Sequence, residues 1–169
     1  MGFTLVELLT TVVVLAILAS IAAASMNSTL SNNGIYSIQN ELVASLALAR
    51  SEAARRGVAV YVRASAPASG NTFGGGWSVC VDADGDGTCD ADSSAVLRTH
   101  DAAPWNVQVR SSTTAVGFNP MGFVTPAGSV ELDVCAKDGS VGGYSLTIQP
   151  NGMVDVAEVA PLTPPCSAS

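Results

Sequence analysis

The chain is 169 residues long, with a formal net charge of −7, only 12% charged residues and a positive mean hydropathy. That length fits one modest domain with an accessory segment and argues against two independent cores. The acidic balance argues against a nucleic-acid partner, and the apolar excess implies that part of the chain meets lipid or protein instead of water.

The apolar excess lies at the start. Leu8 to Met26 form a run of 19 residues without a charge, and the next charged residue after Glu7 is Glu41. As a helix this run spans roughly 28 Å, about the thickness of a bilayer's hydrocarbon core. It is expected to cross a membrane. A cleaved signal peptide would need a basic region ahead of the run, and Met1 to Glu7 contain no Lys or Arg. An ordinary single-pass anchor leaves Glu7 unexplained, an acid at the membrane-facing end of the run.

From Asn27 to Gly34 the residues are polar and turn-forming, and the helix is expected to weaken or break there. A second helical stretch is predicted from Ile35 to Arg56. In it Ile38, Leu42, Leu46, Ala49 and Ala53 recur at spacings of three and four, an apolar stripe suited to packing on a sheet. Arg55 and Arg56 suit its last turn and Gly57 its C-cap.

Beyond Gly57 the chain turns to short β-type runs punctuated by Gly, Pro, Asn and Asp. Strands are predicted at Val58–Ser65, Trp77–Asp82, Val96–Thr99, Val107–Ser111, Ala115–Phe118, Ser129–Cys135, Tyr144–Gln149 and Met153–Val156. A long N-terminal helix followed by antiparallel strands is an α+β plan.

Four cysteines, Cys80, Cys89, Cys135 and Cys166, all lie beyond the apolar run. They suggest an oxidising compartment and two disulfides, with three pairings open. Cys80–Cys89 would staple the acidic hairpin, and Cys135–Cys166 would tie the Pro-rich tail to the sheet. The spacings hold no C-x-x-C pair for zinc, and His100 is the only histidine. His100 precedes Asp101, but no nucleophile elbow accompanies them, and neither a P-loop nor a dinucleotide fingerprint is present, so His100 reads as a surface or strand-end residue and the chain as a non-enzyme.

The sharpest metal-like pattern is Asp82-x-Asp84-x-Asp86-Gly87 with Asp90 and Asp92 nearby. Alternating carboxylates with a glycine at the sixth position resemble the first half of a calcium loop. Ser93 stands at the twelfth position in place of the bidentate Glu. A solvated hairpin turn is therefore the expectation and no cofactor is assigned, with calcium on Asp82, Asp84, Asp86 and Asp90 as the alternative.

Gly2-Phe3-Thr4-Leu5-Val6-Glu7, followed by the apolar run, resembles the leader junction of type IV pilins and type II secretion pseudopilins. The resemblance implies that a prepilin peptidase cuts between Gly2 and Phe3, that Phe3 becomes an N-methylated amino terminus, and that Glu7 is an assembly residue. Related leaders carry several residues ahead of the glycine, whereas Met1 alone precedes it here. An ammonium on Phe3 and the Glu7 carboxylate can neutralise each other in lipid, within one subunit or between neighbours.

Ala49-Arg50-Ser51-Glu52-Ala53-Ala54-Arg55-Arg56-Gly57 is similar to the ARSEA-x-x-RG signature of the GspH/FimT family, most like FimU/FimT-type minor pilins. Further matches are Gly76-Trp77-Ser78-Val79, Phe118-x-Pro120-x-Gly122, Leu132-Asp133-Val134-Cys135 and Ile148-x-x-x-Gly152. Arg50 and Glu52 are expected to make polar contacts between the helix and the adjoining sheet or loop. The family implies a pilin fold: residual leader 1–2, transmembrane and assembly half of the helix 3–26, soluble amphipathic half 27–57, and β-rich periplasmic or extracellular domain 58–169.

The implied function is that of a minor pilin in a priming or tip complex for type IV pilus assembly. Its partners would be other minor pilins, the major pilin and the prepilin peptidase, and it would be anchored in the inner membrane before entering a filament that reaches the cell surface. A GspH-type pseudopilin of type II secretion, confined to the periplasm, is the alternative, and a tip module that binds DNA or a surface is a third reading. Where DNA-binding relatives carry a G-R-x-R pattern this chain reads Gly152-Met153-Val154-Asp155, which disfavours phosphate contact.

Overall fold

The computed structural model describes residues 4–90 and 95–161, and the side chains of 21–27 lie outside that description. Helix α1 runs unbroken over Leu5–Arg56. Among the described residues nine strands follow: β1 (Ala59–Ala64), β2 (Trp77–Asp82), β3 (Val96–His100), β4 (Val107–Ser111), β5 (Ala115–Phe118), β6 (Val124–Thr125), β7 (Val130–Ala136), β8 (Gly143–Ile148) and β9 (Val154–Val159). They form two antiparallel sheets, one of order β3-β2-β1-β5-β6 and one of order β4-β7-β8-β9, and α1 lies against strands of both.

The predicted stripe is the buried face. Ile38, Leu42, Leu46, Ala49 and Ala53, together with Ile35, are all buried against a core that includes Val60, Val62, Phe73, Trp77, Phe118, Leu132, Leu146 and Ile148. Within it the Trp77 indole N–H donates to Ser45 Oγ at 3.0 Å, so the one polar atom of the largest core side chain is satisfied by the helix. Gly57 takes the left-handed cap conformation (φ 71°) and its N–H donates to the Ala53 carbonyl.

The expected break between Asn27 and Gly34 is not present, because tertiary packing outweighs local propensity. Gly34 and the Asn and Ser residues before it weaken a helix by roughly 0.5–1 kcal/mol each relative to Ala. Against that, Ser31 is buried and accepts a hydrogen bond from the Asn106 side chain at 2.9 Å, and Ile35 is buried in the core. Gly34 also lets the helix lie close on β4: a Cβ there would stand 3.1 Å from Val107 Cγ2. The two-residue strand β6 is an addition to the predicted set.

Candidate assembly site

The N-terminal end of α1 projects without cover. Every described side chain from Thr4 to Ser20 is exposed, Leu5 by 80%, and ten of them are large aliphatics. Covering those ten side chains would stabilise the protein by on the order of 10 kcal/mol, so this surface is built for lipid or protein. Among the described residues no helix is long and apolar enough to cross a membrane. The span expected from the sequence includes 21–26, whose side chains are outside the description.

Glu7 is the single charge on this stretch, and it is used locally. Thr4 is the N-cap and Glu7 the third helical residue: the Glu7 N–H donates to Thr4 Oγ1 at 3.3 Å, and the Glu7 carboxylate accepts from the Thr4 hydroxyl at 3.4 Å and, more weakly, from the Thr4 N–H at 3.5 Å. This is a capping box, and its signal, Thr-x-x-Glu before an apolar run, is legible in the sequence. A carboxylate here also faces the positive end of the helix dipole. Gly2 and Phe3 lie outside the described residues.

At the other end of α1, Arg50 fastens the helix to the turn between β8 and β9, with the turn between β5 and β6 close beside it. Its Nη1 donates to the Gly152 carbonyl at 3.0 Å and its Nη2 to the Asn151 carbonyl at 3.1 Å. Two turns of matching sequence meet beneath it, Asn119-Pro120-Met121-Gly122 and Gln149-Pro150-Asn151-Gly152. In each the glycine N–H donates to the first residue's carbonyl at 2.8 Å. Both glycines have positive φ (80° and 77°), and a Cβ on Gly152 would stand 2.1 Å from the Gly122 carbonyl oxygen. The Phe118-x-Pro120-x-Gly122 and Ile148-x-x-x-Gly152 elements are thus one structural unit, gathered by Arg50.

Glu52 does not make the sheet or loop contact expected of it. It pairs with Arg55 at 2.6–3.0 Å and with Arg56 at 2.6 Å on its own helix, because those residues lie one turn further along the same face. Hydrogen bonds from Arg55, and then from Arg56, hold its pKa down to about 2. Arg63 donates to the Gly87 carbonyl at 2.9 Å. Arg50, Arg55, Arg56 and Arg63 are therefore each engaged by an acceptor within the fold.

The loop after β2 brings Asp82, Asp84 and Asp86 together, with one oxygen of each lying within 4.8 Å of the others. Asp90 is not part of that group; its carboxylate accepts from the Ala83 N–H at 3.1 Å, because the chain doubles back on β2. Asp82 is buried and accepts from the Gly85 and Gly87 N–H groups at 2.7 and 3.0 Å. Asp86 accepts from the hydroxyl and N–H of Thr88, which hold its carboxyl below the usual range. The Asp86 N–H bonded to Asp84 favours the charged form of Asp84, but the neighbouring Asp82 carboxyl, desolvation and the charges of Asp86 and Asp90 outweigh it, leaving its pKa raised. All three carboxylates act as acceptors for the turn's backbone, as a hairpin loop requires.

Cys80 and Cys89 are disulfide-bonded across this loop. Cys135 is also a disulfide cysteine, and Cys166 lies outside the described residues. His100 does end a strand, but it is packed: its ring stacks on Trp77 (centroids 4.8 Å apart, planes at 15°), and Nδ1 lies 3.3 Å from a Glu41 carboxylate oxygen.

The model of the family "Type II transport protein GspH" matches residues 39–152 of the chain. The fold is similar to two crystal structures of the type IV minor pilin FimU of Pseudomonas aeruginosa strain PAO1. One, in space group P65, has a TM-score of 0.58 and 26% identity, covering 72% of this chain and 91% of that one. The other, in P21, has a TM-score of 0.60 and 26% identity, covering 75% of this chain and 90% of that one. No curated protein matches significantly.

Proposed function

The chain belongs to the GspH family, and on that premise we propose that it is a minor pilin of a type IV pilus, working in the priming or tip complex that starts assembly. Proteins of this family and fold are structural subunits that assemble with other pilins in a filament. The observation that carries the pilus reading is the likeness to FimU over nine-tenths of that chain's length. The exposed apolar end of α1 supports it, since a filament core of parallel helices would cover that surface.

In this reading the leader is cut between Gly2 and Phe3, and 3–26 hold the subunit in the inner membrane until it is extracted into the filament. Glu7 leaves its bond with Thr4 to meet the Phe3 ammonium of its own or a neighbouring subunit. Neutralising each charge with the other lowers the cost of carrying either through an apolar surround.

The family model's description favours a second reading, a GspH-type pseudopilin in type II secretion. Deleting the gene separates the two. Loss of surface pili and twitching is the expected result, whereas retained pili with exoproteins accumulating in the periplasm would assign the chain to secretion.

A further inference from the structure

The turn between β3 and β4 holds up a tryptophan that the fold does not use. The Val107 N–H donates to the Pro104 carbonyl at 2.9 Å and closes the turn. The Asn106 side chain donates to Ser31 Oγ of α1 at 2.9 Å, and the Asn106 carbonyl accepts from the Lys137 N–H at 2.9 Å. The backbone is thus fastened to the helix and to the loop after β7. Yet Trp105 is 85% exposed, whereas Trp77 is fully buried. Trp105 lines a cleft of about 510 Å³ with Leu30, itself 57% exposed, and with Ser28, Asn106, Lys137 and Ser140.

The height of this cleft along α1 identifies what it meets. The apolar run ends at Met26, and at ~1.5 Å per residue Ser28 to Ser31 stand roughly 3–8 Å beyond it. A bilayer's hydrocarbon core is about 30 Å thick and the whole about 40–45 Å, so each headgroup layer is about 5–8 Å deep. Tryptophan favours that layer, its ring against acyl chains and its N–H in the wet region, and lysine can lay its stem there with the ammonium among phosphates. Asp138 beside Lys137 accepts from the hydroxyl and N–H of Ser140, which hold its carboxyl below the usual range and keep it charged. With that charge and a net −7, the surface suits zwitterionic headgroups and not strongly anionic ones.

We propose that Trp105, with Leu30 and Lys137, forms a contact with a zwitterionic phospholipid surface that seats the globular domain in the headgroup layer before the subunit enters a filament. The contact rests on the membrane-anchored reading of 3–26.

The test uses the full chain reconstituted in phosphatidylcholine vesicles, with and without lipid brominated near the top of the acyl chain. Fully buried Trp77 supplies a constant background, and subtracting the spectrum of Trp105→Phe isolates Trp105. The expected result is blue-shifted Trp105 emission that resists acrylamide, is insensitive to salt, and loses roughly half its intensity to brominated lipid. Free quenching by acrylamide with no effect of brominated lipid, in a chain that floats with the vesicles, would overturn the contact and leave the anchor standing. Shielding from both quenchers would overturn it in favour of a second copy covering the cleft. Failure of both the parent and Trp105→Phe to float with vesicles would overturn the anchor reading and the contact with it.

Discussion

Replacing Arg50 by Ala should loosen the junction of α1 with the turn between β8 and β9. Two hydrogen bonds from a charged donor are lost, to Gly152 O in a partly buried setting and to Asn151 O in an exposed one. Such bonds contribute about 1.5–3 kcal/mol when shielded, and less where water can replace the donor. Allowing ~1.5–2 kcal/mol for the first and ~0.5–1 kcal/mol for the second gives a loss of about 2–3 kcal/mol. For a domain of this size that lowers Tm by roughly 6–12 °C. Arg50→Lys should fall between, since a single ammonium cannot reproduce the planar fork. Thermal melts of the soluble fragment beginning near Ser28 provide the assay. Gly152→Ala should be at least as damaging, because its Cβ would strike the Gly122 carbonyl in a backbone conformation that disfavours side chains. The double variant should lose less than the sum, as both changes break one junction. A Tm drop under about 2 °C for Arg50→Ala, or full additivity with Gly152→Ala, would refute the staple.

Asp82→Ala should cost about 2–4 kcal/mol in denaturant unfolding, since Gly85 and Gly87 lose a buried charged acceptor, and Asp82→Asn should cost less. Thermal melts titrated with calcium should show no shift in the parent chain; a saturable rise abolished by Asp84→Ala and Asp86→Ala would instead assign the loop to a metal. Glu52 has a folded pKa near 2, below its ordinary 4.5, so its contribution to stability is present above about 4.5 and fades as pH falls toward 2. Acid titrations of the parent and Glu52→Gln should converge across that window. The gap above it should shrink with added salt, because Arg55 is largely exposed and Glu52 only half-buried, which leaves the pair open to screening.

The parts of the fold legible in the sequence are those whose signal is local. The stripe from Ile38 to Ala53 repeats at the helical period, and Arg55, Arg56 and Gly57 stop the helix at its observed end. The strand Trp77–Asp82 is bounded by turn residues and appears as predicted. Strand β6 escaped because two residues before Pro126 carry no period. Helix continuity through Gly34 depends on contacts with β4 and on the Asn106–Ser31 bond, 75 residues apart in sequence. The acceptors of Arg50 are 101 and 102 residues away, so the purpose of the Pro120–Gly122 and Pro150–Gly152 turns appears only when they meet. The grouping of Asp82, Asp84 and Asp86 follows from their alternation, while the departure of Asp90 follows from the loop doubling back.

Processing of this chain as a filament subunit can be read from mass spectrometry of its mature amino terminus, taken from sheared filaments. The expected species is a chain beginning at N-methylated Phe3. An intact Met1, or a terminus near Ala24, would contradict it.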